Sequence, residues 1–341
     1  MIGGRSLADL WLAYRLRWKR RRYLFRAWRK AGQLRQVRRG VFARDAILAV
    51  MTVRNEALRL PYFLDHHRRL GVDHFLIVDN ASDDGTADYL AAQPDVSLWS
   101  TPHSYRLSRF GVDWTTWLQH RLCHGHWCLT LDADELFIYP YWETRNLRAL
   151  TGWLDRLGQR ALPAMMLDLY PEGALANAAY QPGQDPTQVL AWFDAGNYGI
   201  KRQDPPGNLW IQGGVRGRVF FANDPRRAPT LNKTPLVKWD RSFAYVNSTH
   251  QILPPGLNHG YGQDGAEMTS GILLHTKFLP NVVAKSAEEK ARRAHFSNSA
   301  LYEGYYDGLI ANPQLWCAAS QRYAGWRQLE SLGLMSRGGW V

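Results

Sequence analysis

The stretch Leu129-Thr130-Leu131-Asp132-Ala133-Asp134-Glu135 decides how the chain is read. The apolar residues 127–131 predict a buried strand. That run stops at three carboxylates within four residues. On an extended backbone Asp132 and Asp134 point to the same side. Like charges held that close repel, so the pair calls for a compensating cation. A divalent metal that also holds a phosphate meets that need. An Asp-x-Asp alone fits a solvated acidic turn equally well. The weight therefore falls on what the rest of the chain places beside it.

Upstream, residues 46–53 form a continuous apolar run, as expected of a central parallel strand, ending at Arg54-Asn55-Glu56. A helix through Pro61, Phe63, Leu64 and Leu70 is closed by Gly71. A second buried strand, 74–78, ends at Asp79-Asn80, and residues 81–86 are rich in turn and cap residues. A short helix to about Gln93, a strand at 96–99 and a helical segment at 105–125 lead into the strand before Asp132. This alternation predicts an α/β fold: a mostly parallel, doubly wound sheet with flanking helices. Polar clusters then fall at the carboxyl ends of three strands, the edge where open α/β sheets bind ligands. No Gly-x-Gly-x-x-Gly follows the first strand and no Walker sequence is present, which argues against a dinucleotide enzyme and a P-loop NTPase.

With 341 residues, 45% hydrophobic and 21% charged, the chain is globular and long enough for a real core. Its net charge of +12 is uneven. Residues 1–44 hold 14 of the 42 Lys and Arg but only one acid, Asp9, so the body is close to neutral. The bulk charge therefore gives no support to a nucleic-acid-binding core. Leu7, Leu10, Trp11, Tyr14, Trp18, Phe25 and Trp28 recur at helical spacing over residues 6–30, among nine Lys and Arg. A Trp-rich stripe with a dense Arg face is the pattern of a helix in an anionic membrane interface; a partner-docking helix and an RNA-binding arm are the other readings. Three cysteines, without zinc spacing, imply reduced thiols. No apolar run reaches the length of a membrane span, and no signal-peptide core is present. The expected location is the cytoplasm, peripheral on the inner membrane. The expected division is a basic helix over 1–44, a catalytic domain over 45–285 and a helical segment over 286–341.

Three stretches together resemble glycosyltransferase family 2 with its GT-A fold, in its bacterial branch with a DxD motif. They are Thr52-Val53-Arg54-Asn55-Glu56, Val78-Asp79-Asn80-Ala81-Ser82-Asp83-Asp84-Gly85-Thr86 and Leu131-Asp132-Ala133-Asp134-Glu135. Leu70-Gly71-Val72-Asp73 and the later segments 213–218, 233–239 and 274–278 are similar to the same branch. The resemblance spans about residues 45–295 and is looser in its second half. At the second strand end Asp79-Asn80 stands where many members have paired acids. The resemblance implies a nucleoside diphosphate sugar donor. Glu56 and Asp79 would hold its base and ribose, with Thr52 and Asn55 beside them. Asp132 would reach the donor ribose, and Asp132 and Asp134 the Mn²⁺ or Mg²⁺ that bridges the diphosphate. It also implies a late His as a further metal ligand and a nearby cation for the diphosphate.

Beyond residue 150 the candidates stand more singly. Asp168, within the apolar strand 164–170, and also Glu172 and Asp194 are candidate bases for an acceptor hydroxyl in an inverting displacement. Arg216, in Gly213-Gly214-Val215-Arg216-Gly217-Arg218, suits phosphate or acceptor oxygens, or else a solvated basic hairpin. His275 ends another apolar run and is the leading His for the metal, with Lys277 for the diphosphate; His250 is the weaker alternative. Residues 281–311 read as an exposed amphipathic helix, a lid or a solvated face. The expected function is a metal-dependent glycosyltransferase that builds a bacterial surface glycan or glycolipid. A sugar-1-phosphate nucleotidyltransferase and a non-catalytic adaptor for RNA or lipid are the alternatives.

Overall fold

The computed structural model describes residues 6–204, 207–260, 267–292 and 303–341. Its centre is a nine-stranded sheet. In chain order the strands are β1 (Arg35–Arg38), β2 (Leu48–Val53), β3 (His74–Asp79), β4 (Val96–Ser100), β5 (Trp127–Thr130), β6 (Glu135–Ile138), β7 (Ala161–Asp168), β8 (Asn232–Lys238) and β9 (Gly271–His275). Across the sheet they run β1-β4-β3-β2-β5-β8-β7-β9-β6. Six strands share one direction; β1, β6 and β8 oppose it. The fold is mixed α/β with a mostly parallel central sheet and flanking helices.

Both faces of β2 are buried, which explains its unbroken apolar sequence. Ala49, Met51 and Val53 share one core with Phe63 and Leu64 of helix α2 (Leu60–Leu70) and Leu150 of α5 (Leu147–Arg156). Leu48 and Val50 meet Trp114 and Leu118 of α4 (Val112–Leu122) on the other face. The expected helix at 105–125 is thus a 3-10 turn, Arg106–Ser108, followed by α4. Gly111 separates them at φ +77, and a Cβ there would sit 2.7 Å from Thr52 Oγ1. Only glycine lets α4 press this closely on the end of β2.

The strand before the acids ends at Thr130, and Leu131 begins the turn. No local pattern marks β6, which starts at Glu135 and pairs with β9. Strand β8 lies antiparallel between β5 and β7 and joins the two halves of the sheet. Its pairing with β7 slips between Lys233 and Leu236, where Pro235 and Pro163 face the same irregularity. Neither proline has an N–H for the ladder, so the slip falls where a ladder bond is unavailable.

The two sheet edges differ. Strand β1 is short, basic and largely exposed. Strand β6 is buried, and α2 caps its open side. The His66 Nε2–H donates to the Phe137 carbonyl at 2.9 Å. The Phe137 N–H points to His67 Nε2 at 3.4 Å, and the His67 Nδ1–H donates to the Phe63 carbonyl at 2.8 Å.

Helix α7 (Val282–Arg292) runs through the expected boundary at 285/286. Ser320–Arg322 pairs with Trp192–Asp194 and stitches the C-terminal segment to the body. The expected 281–311 helix is α7 followed by α8 (Glu303–Ile310); Arg293 and the rest of 293–302 lie outside the described residues. Among the described residues no helix is long and apolar enough to cross a membrane. Cys123, Cys128 and Cys317 are unbridged.

Candidate active site

A cleft of about 630 Å³ opens at the carboxyl ends of β2 and β5. Thr52, Asn55, Glu56, Asp132, Asp134, Arg216, His275 and Lys277 all line it. Asp79, Asp168, Glu172 and Asp194 do not.

The three acids of the opening stretch have three different environments. Asp132 is 52% exposed and takes a hydrogen bond from Lys233 Nζ at 2.8 Å. Glu135 is fully buried and pairs with the same ammonium group. Burial pushes the Glu135 carboxyl up to about 7 against the pull of Lys233. Burial also disfavours the Lys233 charge, yet Asp132 and Glu135 together raise its pKa above the usual lysine value. The compensating cation expected at Asp132 is thus a lysine from β8, which reaches across from the adjacent strand. In the sequence Lys233 stands only as the first residue of the segment 233–239. The signal was there: a lysine among the apolar residues of a buried strand needs an acid.

Asp134 belongs to a buried relay. Its Oδ2 lies 3.1 Å from His275 Nε2. The His275 Nδ1–H donates to Asp168 Oδ1 at 2.5 Å, and Arg216 Nε donates to Asp168 Oδ2 at 2.7 Å. The sheet register builds this, since His275 of β9 pairs with Asp168 of parallel β7 and Glu135 of antiparallel β6. Burial works against charge at both ends of the relay. Even so, Asp134 and Asp168 raise the His275 pKa, and His275 holds the Asp134 carboxyl well below the usual range. The backbone fixes the same pair: the Thr276 N–H and hydroxyl both donate to the Asp134 carbonyl, at 2.7 and 3.1 Å.

Asp168 is thus bonded to both His275 and Arg216 and does not line this cleft. Arg216 is buried on α6 (Gly214–Phe220), a helix where a solvated hairpin was the alternative; its Nη2 is buried on the cleft wall without a partner. Glu172 is exposed. Asp194 is taken by Arg218, at 2.9 Å, and by the Tyr170 hydroxyl.

The loop after β3 serves as a brace. Asp79 accepts from the Ser82 N–H at 3.2 Å and from its hydroxyl. Ser82 Oγ accepts from the Asn55 N–H at 2.9 Å, Thr86 Oγ1 from the Glu56 N–H at 2.9 Å, and Asp84 Oδ2 from the Ala57 N–H at 3.0 Å. The turn and cap residues of 81–86 thus hold the Asn55-Glu56 corner, with Asn55 in the left-handed region at φ 53. Glu56 itself is clamped by Arg59 at 3.0 Å and by Lys285 of α7 at 2.8 Å. Burial lowers the Lys285 pKa.

His250 lines the cleft near Lys233. Its Nδ1 lies 2.6 Å from the Asn232 carbonyl. A carbonyl only accepts, so Nδ1 carries the proton and Nε2 is an acceptor. Burial lowers its pKa to about 4, so the ring is neutral near pH 7.

Among the described residues no group of three or more His, Cys, Asp or Glu side chains is arranged to hold a metal ion. The expected trio of Asp132, Asp134 and His275 is divided: Lys233 takes Asp132, while Asp134 and His275 stay together. With the His275 Nε2 proton given up, that remaining pair has the spacing of two ligands to one divalent cation. Adjacent ligands on an octahedral ion with bonds of about 2.1 Å sit about 3 Å apart, and these two atoms are 3.1 Å apart. A carboxylate on the far nitrogen of a ligating His also fixes its tautomer, the role Asp168 has geometry for.

No family model and no curated protein matches the chain. Among solved structures, mannosyl-3-phosphoglycerate synthase from Rubrobacter xylanophilus aligns at 23% identity over 44% of each chain, TM-score 0.26. A mannosyltransferase from Pyrobaculum calidifontis in complex with GDP-Man and Mn²⁺ aligns at 20% identity over 45% of this chain and 46% of that one, TM-score 0.28. A 4-diphosphocytidyl-2C-methyl-D-erythritol synthase aligns at 18% over 41% of this chain and 66% of that one, TM-score 0.25. The chain thus spans under half the length of the first two and about two thirds of the third. Likenesses this partial carry no functional argument.

Proposed function

We propose that the protein is a metal-dependent glycosyltransferase of GT-A type, related to family 2, that takes a nucleoside diphosphate sugar. One observation carries the reading. A single cleft at the ligand-binding edge of the sheet gathers Asp134 and His275, spaced for one cation, with Arg216, Lys277 and Lys285 around them. A metal and basic side chains suit a leaving diphosphate, whose charge grows as the sugar departs. Asp134 and His275 would hold the Mn²⁺ or Mg²⁺, which supplies Lewis-acid stabilisation of that charge. Thr52, Asn55 and Glu56 stand at the same edge for the nucleoside.

An inverting displacement needs a base for the acceptor hydroxyl. Asp168 and Asp194 are held in ion pairs, and neither they nor Glu172 line the cleft. His250 lines the cleft and its Nε2 is an acceptor, and we assign it the base role. A glycan or glycolipid is the acceptor class this reading favours, in the setting of surface polysaccharide synthesis.

The test is thermal unfolding of the full chain with a panel of nucleotide sugars and Mn²⁺ or Mg²⁺. A bound donor raises the melting temperature by mass action. Replacing His250 by Gln should then lower turnover at least about a hundredfold and leave the donor-induced shift in place. If no nucleotide sugar shifts the melting point, and pyrophosphate is released from a nucleoside triphosphate and a sugar 1-phosphate, the nucleotidyltransferase reading replaces this one.

A further inference from the structure

Helix α1 (Leu7–Lys30) has two apolar faces where the sequence suggested one. The inner face, Leu12, Leu16, Tyr23, Leu24 and Ala27, is half-buried to buried and packs on α4. Arg26 bonds to the buried Asp113 of α4 at 3.0 Å, and the Arg109 guanidinium lies 4.0 Å from the Tyr23 ring centre. Tyr105 and Phe110, on either side of that arginine's turn, line the cleft. The helix is therefore fixed to an element that forms part of the cleft wall.

The outer face is the unexplained one. Leu10, Trp11, Tyr14, Trp18, Phe25 and Trp28 are 47–61% exposed. At 100° per residue they fall within an arc of about 100°, opposite the packed face. Their rings associate along the helix, Trp11 with Tyr14 at 5.6 Å, Tyr14 with Trp18 at 6.3 Å and Phe25 with Trp28 at 5.6 Å. Exposed arginines accompany the stripe: Arg15, Arg22 and Arg29 along one side, Arg17 along the other, and Arg21 within the arc, its guanidinium 5.9 Å from the Trp18 ring centre. A contiguous exposed apolar stripe of this kind marks an interaction surface.

We infer that this outer face docks into the interfacial zone of an anionic phospholipid bilayer, with α1 lying in the membrane plane. Charge complementarity selects the occupant. Asp9 is the one acid among the 14 basic residues of 1–44, so both borders of the stripe attract anionic headgroups. Tryptophan and tyrosine suit the headgroup boundary, where one end of the ring is apolar and the other wet. Since the inner face is already used by the body, docking requires no part of α1 to leave α4. The inference is independent of the chemistry in the cleft.

The full chain is tested by sedimentation with phosphatidylcholine vesicles, with and without phosphatidylglycerol. Binding is expected only with the anionic lipid, with a blue shift of tryptophan emission and weakening at high salt. The variant Trp11→Ser/Trp18→Ser/Trp28→Ser should lose at least about tenfold in partitioning at an unchanged melting temperature. Should that variant misfold, Arg15→Gln/Arg22→Gln/Arg29→Gln, which keeps the stripe, should also weaken binding. Wild-type protein that stays unbound, or variants that bind as well as wild type, would overturn the inference. A wild-type dimer that the triple tryptophan variant dissociates, without vesicle binding, would assign the face to a second copy. Retention on single-stranded RNA in place of vesicles would assign it to nucleic acid.

Discussion

The two halves of the central sheet reach the same cleft in different ways. In the half formed by β4, β3, β2 and β5, parallel strands are apolar on both faces and their tips carry the polar residues. In the half formed by β8, β7, β9 and β6, the two central strands are parallel, the outer two oppose them, and the site residues belong to the strands themselves. Lys233, Asp168 and His275 are all strand residues with buried partners. The first half offers loops to a ligand; the second fixes their charges. Asp132 and Asp134 sit at the seam and are held from the second half.

The largest effect should come from breaking that seam at Asp134. Asp134→Asn keeps the shape and removes the charge that pairs with His275. Affinity for a nucleoside diphosphate with Mn²⁺ should fall at least about a hundredfold in calorimetric titration; unchanged affinity would sink the metal assignment.

Lys233→Met tests the other link. It leaves Asp132 unpaired and the buried Glu135 without its cation. Removing one partner of a buried pair costs about 3–5 kcal/mol, read from urea denaturation. Adding Glu135→Gln should return part of that loss, because the burial penalty then falls on a neutral group.

The His66/His67 cap joins the halves through α2 and β6. Burial holds the His66 pKa near 4 and that of His67 well below the ordinary value of 6.5. For a histidine whose folded pKa is lowered, the stability contribution is complete above the unfolded value. It is lost as pH falls through the window from about 6.5 to about 4. The midpoint of urea unfolding should drop across that window, and His66→Gln/His67→Gln should flatten the drop.

The smallest effect is expected at Glu172→Gln. The side chain is exposed and away from the cleft, so stability should change by less than about 0.5 kcal/mol and turnover should stay at the wild-type level. A large loss of turnover would return this acid to the list of bases.

The contrast between the halves also explains what the sequence could reveal. Continuous apolar runs and their polar tips are local signals, so β2, β3, β4 and β5 and the acids after β5 were legible. The order of the second half depends on long connections, and no local pattern foretold that β8 enters between β5 and β7. The four-residue β6 was hidden because its first residue, Glu135, reads as part of an acidic turn. Burial of a carboxylate is visible only once Lys233, 98 positions away, is placed beside it. Asp79 shows a motif position with a local partner. Its motif position suggests a ligand contact, while its carboxylate faces its own loop and braces Asn55 through Ser82. Asp168, a candidate base by burial and strand position, is bonded to His275 and Arg216 and does not line the cleft.

The histidine cap on β6 has a consequence for how the protein behaves outside its native window. An apolar strand with a free edge is a template for pairing with another chain. Here two imidazoles occupy the Phe137 amide and carbonyl, and the amide contact needs a neutral ring: protonated His67 cannot accept from the Phe137 N–H. Acid therefore uncovers the sticky edge in the same step that it weakens the fold. Insoluble material formed on acidification should arise by edge-to-edge strand association, and the opposite edge, basic and short at β1, should take no part in it.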